Sequence, residues 1–250
     1  MIRREWKDEV LVLRLEHGKA NAIDVELLGE LSNALDAAAE APAVVLTGTG
    51  TMFSAGVDLF RVVDGGSVYL DRFLPALGDT LTQLYAFERP IVAAINGHAI
   101  AGGCLLACAC DVRVMAEGSG RIGVPEMLVG VPMPAVPLEI MRAVLTPRDL
   151  QYLLLTGVTV PAAEALERGL VDEIAPEAEV LGRALALAGA LAAAPPAAFE
   201  HTKRAIRRSA LDRMLQTRAA DHESLAPIWA APETIEFIRG YLARTIKRGR

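Results

Sequence analysis

The sequence predicts an α/β fold with a largely parallel sheet. Short apolar runs that are typical of buried strands alternate with longer segments whose apolar residues recur at helical spacing. Strands that are separated by helical crossovers favour parallel pairing. From Pro132 onward the pattern is mostly helical, and Pro195-Pro196 marks a boundary. We therefore expect an α/β core over residues 1–195 and a helical region over residues 196–250.

Four segments of the first half are predicted to be strands. Val10–Leu15 alternates with period two, and Val44–Thr47 is a short apolar run closed by a glycine. Ile91–Ile95 and Val112–Ala116 are two further apolar runs, and they flank a segment that contains Gly102-Gly103. The prediction is therefore a strand, then the glycine pair, where no side chain covers the backbone, and then a helix.

Helical spacing predicts the elements between and after these strands. Asp24 is placed to cap a helix over 25–40, and Pro75 disturbs the early turns of a helix over 68–88. The loop 62–69 contains Gly65-Gly66, and we expect it to be mobile. Later helices are predicted at Val136–Val144, Leu150–Leu155, Pro161–Arg168, Phe199–Arg208, Leu211–Ser224 and Glu233–Lys247. The helices of the tail carry few apolar anchors, so they must pack on the core or on another subunit.

Composition excludes several classes of function. The chain has 250 residues, 52% of them apolar, and a net charge of −6, which argues against a nucleic-acid surface. The amino-terminal segment is charged and the longest apolar runs are interrupted, so we expect no membrane partner and a soluble, cytoplasmic protein. The basic cluster from Lys203-Arg204 to Arg207-Arg208 is predicted to be a solvated helix face, with an anionic ligand or a neighbouring subunit as the alternative.

The three cysteines lie close together in the sequence. Cys104 and Cys108 are four residues apart, which places them on one helix face, and Cys110 follows. Their spacing matches no zinc pattern, and a free cysteine packs as a small apolar residue. We therefore predict a packing role and no metal site.

Two small-residue loops could present main-chain amides to a ligand. One lies within Phe53-Ser-Ala-Gly-Val-Asp-Leu59, and the other is Ala101-Gly102-Gly103 at a predicted helix start, where N–H groups lack partners. If the preceding strands lie side by side, each loop can direct one N–H at a single oxygen, the geometry of an oxyanion hole. Taken singly, each loop is more often just a turn.

Glu126 is the candidate acid–base group. It lies in Gly123-Val-Pro-Glu-Met127, after a proline and before apolar residues. A carboxyl group among apolar neighbours has a raised pKa and can accept and return a proton near neutral pH. On this local pattern alone, a surface glutamate is the simpler interpretation.

Together these motifs resemble the crotonase superfamily of enoyl-CoA hydratases and isomerases. The resemblance covers essentially the whole chain. It begins at Gly18-Lys-Ala-Asn-Ala22 and continues through FSAGVDL, INGHAIAGGCLL, CDVRV and GVPEMLVGVP to the segment EALERGLVD and to Thr202-Lys203. Several motifs in the right order are far more specific than any one of them.

The resemblance implies a fold and an assembly. The fold is a spiral of ββα repeats with a C-terminal helical region that mediates trimerisation and covers the active site. The assembly is a trimer or a hexamer built from two trimers. The substrate is an acyl-CoA thioester, so coenzyme A arrives with the substrate and no separate cofactor is expected.

The resemblance also implies the binding residues. The main-chain amides of Val57 and Gly102 hold the thioester carbonyl. The other residues expected to contact the CoA ester are Lys19, Ala20, Ala55, Gly56, Asp58, Leu59, Arg61, Gly103 and Leu105. Phe60 departs from the family pattern, in which many relatives carry a lysine directed at the CoA phosphates, and Arg61 or the Lys203 cluster could substitute for it.

The residue at position 105 distinguishes the pattern of the hydratases from that of the isomerases. The hydratases usually carry two glutamates, one shortly after the glycine pair and one in the Pro-Glu motif, whereas this chain has Leu105 and Glu126. Hydration asks for a group to orient water as well as a base, while moving a double bond needs only one base. The pattern resembles the Δ3,Δ2-enoyl-CoA isomerase variant. The alternatives are a hydratase, or another crotonase-type reaction, with an unrecognised second group, and a non-catalytic protein that binds CoA esters. Asp58, Asp64 and Glu117 lie in or near the relevant loops.

Overall fold

The computed structural model describes residues 1–248, so the last two residues of the predicted helical region lie outside it. The strands are β1 (Ile2–Lys7), β2 (Val10–Leu15), β3 (Ala22–Ile23), β4 (Ala43–Thr47), β5 (Met52–Ser54), β6 (Gly56–Val57), β7 (Ile91–Ile95), β8 (His98–Ile100), β9 (Val112–Ala116), β10 (Arg121–Gly123), β11 (Thr159–Pro161) and β12 (Glu173–Ala175). The helices are α1 (Val25–Ala37), α2 (Leu59–Ala86), α3 (Gly102–Ala109), α4 (Glu126–Val129), α5 (Ala135–Val144), α6 (Pro147–Thr156), α7 (Ala162–Glu167), α8 (Val180–Ala192), α9 (Pro196–Ala230) and α10 (Pro232–Arg248).

The strands form one large and two small sheets. A six-stranded sheet has the order β1-β2-β4-β7-β9-β12, and only its β1–β2 pair is antiparallel among the strands described. A four-stranded sheet has the order β11-β10-β8-β5, and β3 pairs with β6 in parallel. The prediction of an α/β fold with largely parallel pairing is confirmed.

A ββα unit repeats along the chain. In the pairs β4–β5, β7–β8 and β9–β10, the first strand joins the six-stranded sheet and the second joins the four-stranded sheet. The helices α2, α3 and α4 follow these three pairs. Because β5 and β8 pair in parallel in the four-stranded sheet, the turns that leave these two strands lie side by side. The ββα repeat implied by the family resemblance is confirmed.

The six-stranded sheet is buried on both faces. Along β2, Leu11, Leu13 and Leu15 enter a core with α1 and α2, while Val10 and Val12 enter a second core against α8. Alternating residues of a strand point to opposite faces, so the period-two pattern of this strand serves two apolar layers.

Helix α2 differs from the prediction. Asp58 caps it by accepting hydrogen bonds from the amides of Phe60 and Arg61, so the helix begins at Leu59 rather than at Val68. Gly66, at φ +53° and ψ −143°, is not helical and divides α2 into two helical segments that meet at a kink. The predicted loop at 62–69 is therefore part of a kinked helix.

The C-terminal helices are longer than predicted. The helices expected at Phe199–Arg208 and Leu211–Ser224 form one helix, α9, from Pro196 to Ala230, and Pro232 begins α10. No single helix in the described part of the chain is long and apolar enough to cross a membrane, although the segments 177–192 and 196–217, bent by 104°, together match in length and composition.

The prediction of a solvated helix face is correct for Arg204 and Arg208, which are exposed, but it is wrong for Lys203 and Arg207. Both side chains are buried and bind Asp111, at 2.8 Å from Lys203 Nζ and 2.9 Å from Arg207 Nη2. The amide of Ile91 donates a further hydrogen bond to Asp111 at 2.8 Å. These three charged residues, which we call the Asp111 cluster, fasten α9 to the sheet.

Candidate active site

A cavity of about 80 Å³ lies between the turns that follow β5 and β8, the short helix α4 and the C-terminal helices α9 and α10. We call it the inner cavity. The turn from β5 into β6 and the turn from β8 into α3 form one side of it, and Glu126 lies among its lining residues. Apolar side chains form most of the remaining surface, so a bound group is shielded from water.

The first turn is held rigidly by hydrogen bonds. Ser54 Oγ donates to the carbonyl oxygen of Asn21 at 2.7 Å and accepts from the amide of Gly56 at 3.1 Å. Gly56 has φ +81°, a conformation that favours glycine. Ala55 and Val57 on either side of it line the inner cavity. The segment FSAGVDL therefore contributes to the cavity wall at a turn that hydrogen bonds hold in place.

The second turn contains a strained residue. Ala101 has φ +51° and ψ −121°, a rare conformation for a residue with a side chain, and its amide donates to the carbonyl oxygen of Gly123 at 2.8 Å. Gly102 is the first residue of α3, where an amide has no acceptor within its own helix. The strain is thus located where the chain turns from β8 into a helix start beside the cavity.

The two turns are in direct contact. A β-carbon built on Gly56 would lie 2.9 Å from the main-chain nitrogen of Gly102 and 2.5 Å from the carbonyl oxygen of Ile100. A β-carbon built on Gly102 would lie 3.8 Å from the main-chain nitrogen of Val57. Only glycine allows this approach, and both Val57 and Gly102 line the inner cavity.

Glu126 lies on the wall of the same cavity in an apolar setting. It is the first residue of the short helix α4, between Pro125 and the left-handed Gly130, and it is 8% exposed. Its Oε2 has no hydrogen-bond partner among the described residues. Burial raises the pKa of Glu126 to about 7, and a hydrogen bond from its own main-chain N–H lowers it by less. The group can therefore exchange a proton near neutral pH.

The C-terminal helices close the cavity. Trp229 of α9 is buried, and its Nε1 donates to the carbonyl oxygen of Pro132 at 3.1 Å. Tyr241 of α10 also lines the cavity, and Phe237 of the same helix lies where a β-carbon on Gly130 would be. The sequence analysis placed a cover in this region but did not identify Trp229 or Tyr241. Their one local signal is an aromatic residue within a mostly polar helix.

The structure gathers only part of the predicted binding set around the inner cavity. Ala55, Val57, Leu59, Gly102 and Leu105 line it together with Glu126. The remaining predicted residues lie outside the lining.

The residues outside the lining have other local roles. Gly103 packs where a β-carbon would lie 2.4 Å from the carbonyl oxygen of Ser54. Arg61 is exposed and pairs with Glu26. Lys19 is exposed in a turn, and the carbonyl oxygen of the neighbouring Ala20 accepts from the Ala55 amide at 2.9 Å.

Glu126 is the only carboxylate lining the inner cavity within the part of the chain that the structure describes. The other acidic candidates lie elsewhere. Asp58 caps α2, while Asp64 and Glu117 are exposed. Position 105, where a second glutamate would enter, holds a buried leucine side chain. The arrangement can move a proton through one group and bind an oxygen beside two main-chain amides.

Comparisons with known proteins show the family to which the chain is similar. The sequence profile of the family described as enoyl-CoA hydratase/isomerase matches residues 5–243. A putative enoyl-CoA hydratase from Thermus thermophilus is 38% identical over 81% of this chain and 82% of that protein. The 2,3-dehydroadipyl-CoA hydratase of Escherichia coli is 33% identical over 91% of this chain and 89% of its own. The crystal structure of human mitochondrial Δ3,Δ2-enoyl-CoA isomerase superposes with a TM-score of 0.94 at 28% identity, covering 99% of this chain and 98% of that one.

Proposed function

The chain belongs to the enoyl-CoA hydratase/isomerase family, and we propose that it isomerises 3-enoyl-CoA to 2-enoyl-CoA. The observation that carries this proposal is the single acid. In the described residues, one carboxylate lines the inner cavity, and the position that would supply a second one is Leu105. Processing of enoyl-CoA thioesters follows from the family, and the choice of isomerisation follows from that observation.

The proposed reaction conserves all atoms of the substrate. The Glu126 carboxylate removes a proton from C2, and the electron pair moves toward the thioester oxygen to form a dienolate. Glu126 then returns the proton to C4, so the double bond moves from C3–C4 to C2–C3. A carboxyl group with a pKa of about 7 suits both steps, because it can be deprotonated before the first and protonated before the second.

The main-chain amides of Val57 and Gly102 are proposed to stabilise the dienolate oxygen. Their two turns touch each other and line the same wall of the cavity. Fixed N–H donors stabilise the charge that develops in the transition state, and the loss of one such donor costs about 3–4 kcal/mol in studied enzymes. A main-chain donor also needs no reorganisation during the reaction.

The CoA moiety of the bound substrate is proposed to extend out of the cavity along the turn between β5 and β6. Ala55 and Leu59 line this side of the inner cavity. The exposed Lys19 and Arg61 lie on elements joined to that turn, through Ala20 and through the start of α2. Positive charge here would meet the CoA phosphates, although Arg61 must then leave Glu26.

We further propose that the protein assembles as a trimer or as a pair of trimers. Exposed apolar side chains on α9 support self-association, since Ile206 is 75% exposed and Leu215 is 68% exposed. Sedimentation velocity measures the assembly directly. A purely monomeric species would contradict this part of the proposal.

Two substrates test the reaction. Purified protein is given 3-hexenoyl-CoA and, separately, 2-hexenoyl-CoA. We expect conversion of the first to the conjugated thioester, followed by ultraviolet absorbance, and little hydration of the second. Deuterium placed at C2 of 3-hexenoyl-CoA sharpens the test, because a single base that shuttles the proton returns part of the label to C4. Complete loss of the label to solvent under single-turnover conditions would contradict a single shielded base.

Hydration is the second candidate, favoured by the relatives named as hydratases at 38% and 33% identity. It needs a group besides Glu126 to orient water. Rapid formation of 3-hydroxyhexanoyl-CoA from 2-hexenoyl-CoA would favour it. Binding of CoA esters with no turnover of either substrate would favour a non-catalytic protein.

A further inference from the structure

A second cavity adjoins the inner one. It has a volume of about 350 Å³ and lies between α2, α5 and α9. We call it the outer cavity. Leu77 and Pro134 line both cavities, so these two residues form the wall that separates them.

The two halves of this wall differ in how firmly they are held. Pro134 is the cap residue of α5, where the amide of Ala135 donates to Asp221 of α9 at 2.8 Å, so its backbone position is fixed by two helices. Leu77 contributes a side chain from the middle of α2 and is 3% exposed. Removing carbon atoms from Leu77 is therefore the simplest change that would join the cavities.

The inner cavity is small compared with a fatty acyl chain. At about 10–15 Å³ for each water-sized sphere, 80 Å³ holds about five to eight non-hydrogen atoms. The carbonyl carbon and oxygen of a hexanoyl group together with C2 to C6 already account for about seven. A longer tail must therefore displace Leu77 to continue into the outer cavity.

The outer cavity would accept a tail only in part. Leu74, Val136 and Leu225 line it, but Asp221 and His222 lie there as well. Burial of an apolar tail against the three apolar residues is favourable, whereas the loss of water from Asp221 and His222 on its approach is unfavourable.

We propose that Leu77 sets the acyl-chain length of this protein, restricting it to short acyl-CoA thioesters by closing the passage to the outer cavity. This inference rests on the proposed function for the placement of the thioester. It adds a specificity-determining residue that the reaction itself does not require, because Leu77 carries no group that moves a proton.

The test compares chain lengths in Leu77→Ala and in a matched control. Leu81→Ala removes the same atoms from the next turn of α2, at a fully buried residue that lines neither cavity. Isothermal titration measures the affinities of hexanoyl-CoA and dodecanoyl-CoA, which are saturated and do not react. Each added methylene strengthens binding about fourfold where it can be buried.

We expect the wild-type protein and Leu81→Ala to bind hexanoyl-CoA at least as tightly as dodecanoyl-CoA. Leu77→Ala should reverse this order, favouring dodecanoyl-CoA by about tenfold or more. Leu77→Val is the milder variant if Leu77→Ala does not fold, and its shift should have the same direction. The relative kcat/KM for 3-hexenoyl-CoA and 3-dodecenoyl-CoA should follow the affinities.

The proposal is overturned if wild-type protein prefers dodecanoyl-CoA, or if Leu77→Ala and Leu81→Ala show the same preference. These outcomes are independent of the proposed reaction, because the binding probes are unreactive. A reversed preference without isomerisation would overturn the proposed function and leave the role of Leu77 intact.

Discussion

Glu126 has a buried carboxyl group and Asp111 a largely buried one, but the surroundings of the two groups are opposite. Asp111 binds two buried cations and a main-chain amide, all within 3 Å. Glu126 has an unpartnered oxygen, and its neighbours in the inner cavity are mostly apolar. The cleft beside Asp111 is far larger, about 770 Å³ against about 80 Å³.

The difference between the two is that Glu126, the proposed base, has no counter-charge, although the cleft beside Asp111 is larger. A buried charge is unfavourable unless it is paired. At Asp111 the pairing holds the charge and joins α9 to the sheet. At Glu126 the group responds instead by a raised pKa, which makes the proton available at neutral pH. Lys203 also responds to burial, which lowers its pKa to about 8 although Asp111 opposes the shift.

The largest expected effect separates the two acids by activity. Glu126→Gln keeps the shape of the side chain and removes the base, so kcat for isomerisation should fall about 10³- to 10⁴-fold, equivalent to about 4–5 kcal/mol of barrier. Asp111→Asn, assayed as folded protein, should keep kcat within about tenfold, because its cluster lies outside the inner cavity. A Glu126→Gln enzyme with more than a tenth of wild-type kcat would break the comparison.

The second-largest expected effect is a loss of stability when the Asp111 cluster is broken. Asp111→Ala leaves Lys203 and Arg207 buried without their partner and should lower the free energy of unfolding by about 3–5 kcal/mol in urea denaturation. The control is Glu173→Ala, which breaks the more exposed ion pair with Arg183 and should change the free energy of unfolding by less than about 1 kcal/mol. Equal losses in both variants would show that the Asp111 cluster is not special.

The stability of Glu126→Gln should depend on pH with a defined sign. The folded-state pKa of Glu126, about 7, lies above its ordinary value of 4.5, so the protonated form favours the folded state. The contribution of Glu126 to the stability of the folded protein is therefore fully present below pH 4.5 and is lost as the pH rises through 7. Relative to the wild-type protein, Glu126→Gln should gain about 2–3 kcal/mol of unfolding free energy between pH 5 and pH 8.

Urea denaturation at the two pH values measures this gain. Asp111→Asn is the control variant, since it should be less stable than the wild-type protein at pH 5 and at pH 8. A Glu126→Gln protein whose stability follows that of the wild type at every pH would mean that Glu126 is not buried uncharged.

The smallest effect is the pH dependence of the rate. The base must be ionised, so kcat/KM should be half-maximal near pH 7 and should fall about tenfold for each pH unit below 6, which is about 1.4 kcal/mol per unit. Initial rates with 3-hexenoyl-CoA between pH 5 and pH 9 provide the measurement. A flat profile across this range would contradict a base with a pKa near neutrality.

Much of the fold could be predicted because its signals are local. The strands Val10–Leu15, Ile91–Ile95 and Val112–Ala116 have the predicted bounds, since apolar alternation and short apolar runs are properties of adjacent residues. The start of α2 could not be predicted in the same way. Gly65-Gly66 is typical of a loop, but Gly66 adopts φ +53° inside a helix whose two segments are both packed.

The Asp111 cluster shows a second limit. Lys203 and Arg207 have the spacing of a solvated helix face, yet their partner lies about ninety residues earlier in the chain. Nothing in the sequence around Lys203 indicates this contact. The packing of α9 on the sheet brings the charges together, and burial follows from that packing.

The sequence by itself determined which groups are available: two glycine-containing turns after neighbouring strands, one glutamate in the Pro-Glu motif and a leucine at position 105. Only the tertiary structure decided what surrounds them. Trp229, Tyr241 and Leu77 line the cavity together with Glu126. The physical reason is that a pKa and a cavity volume depend on all neighbouring groups in space, and here those neighbours come from residues between 55 and 241.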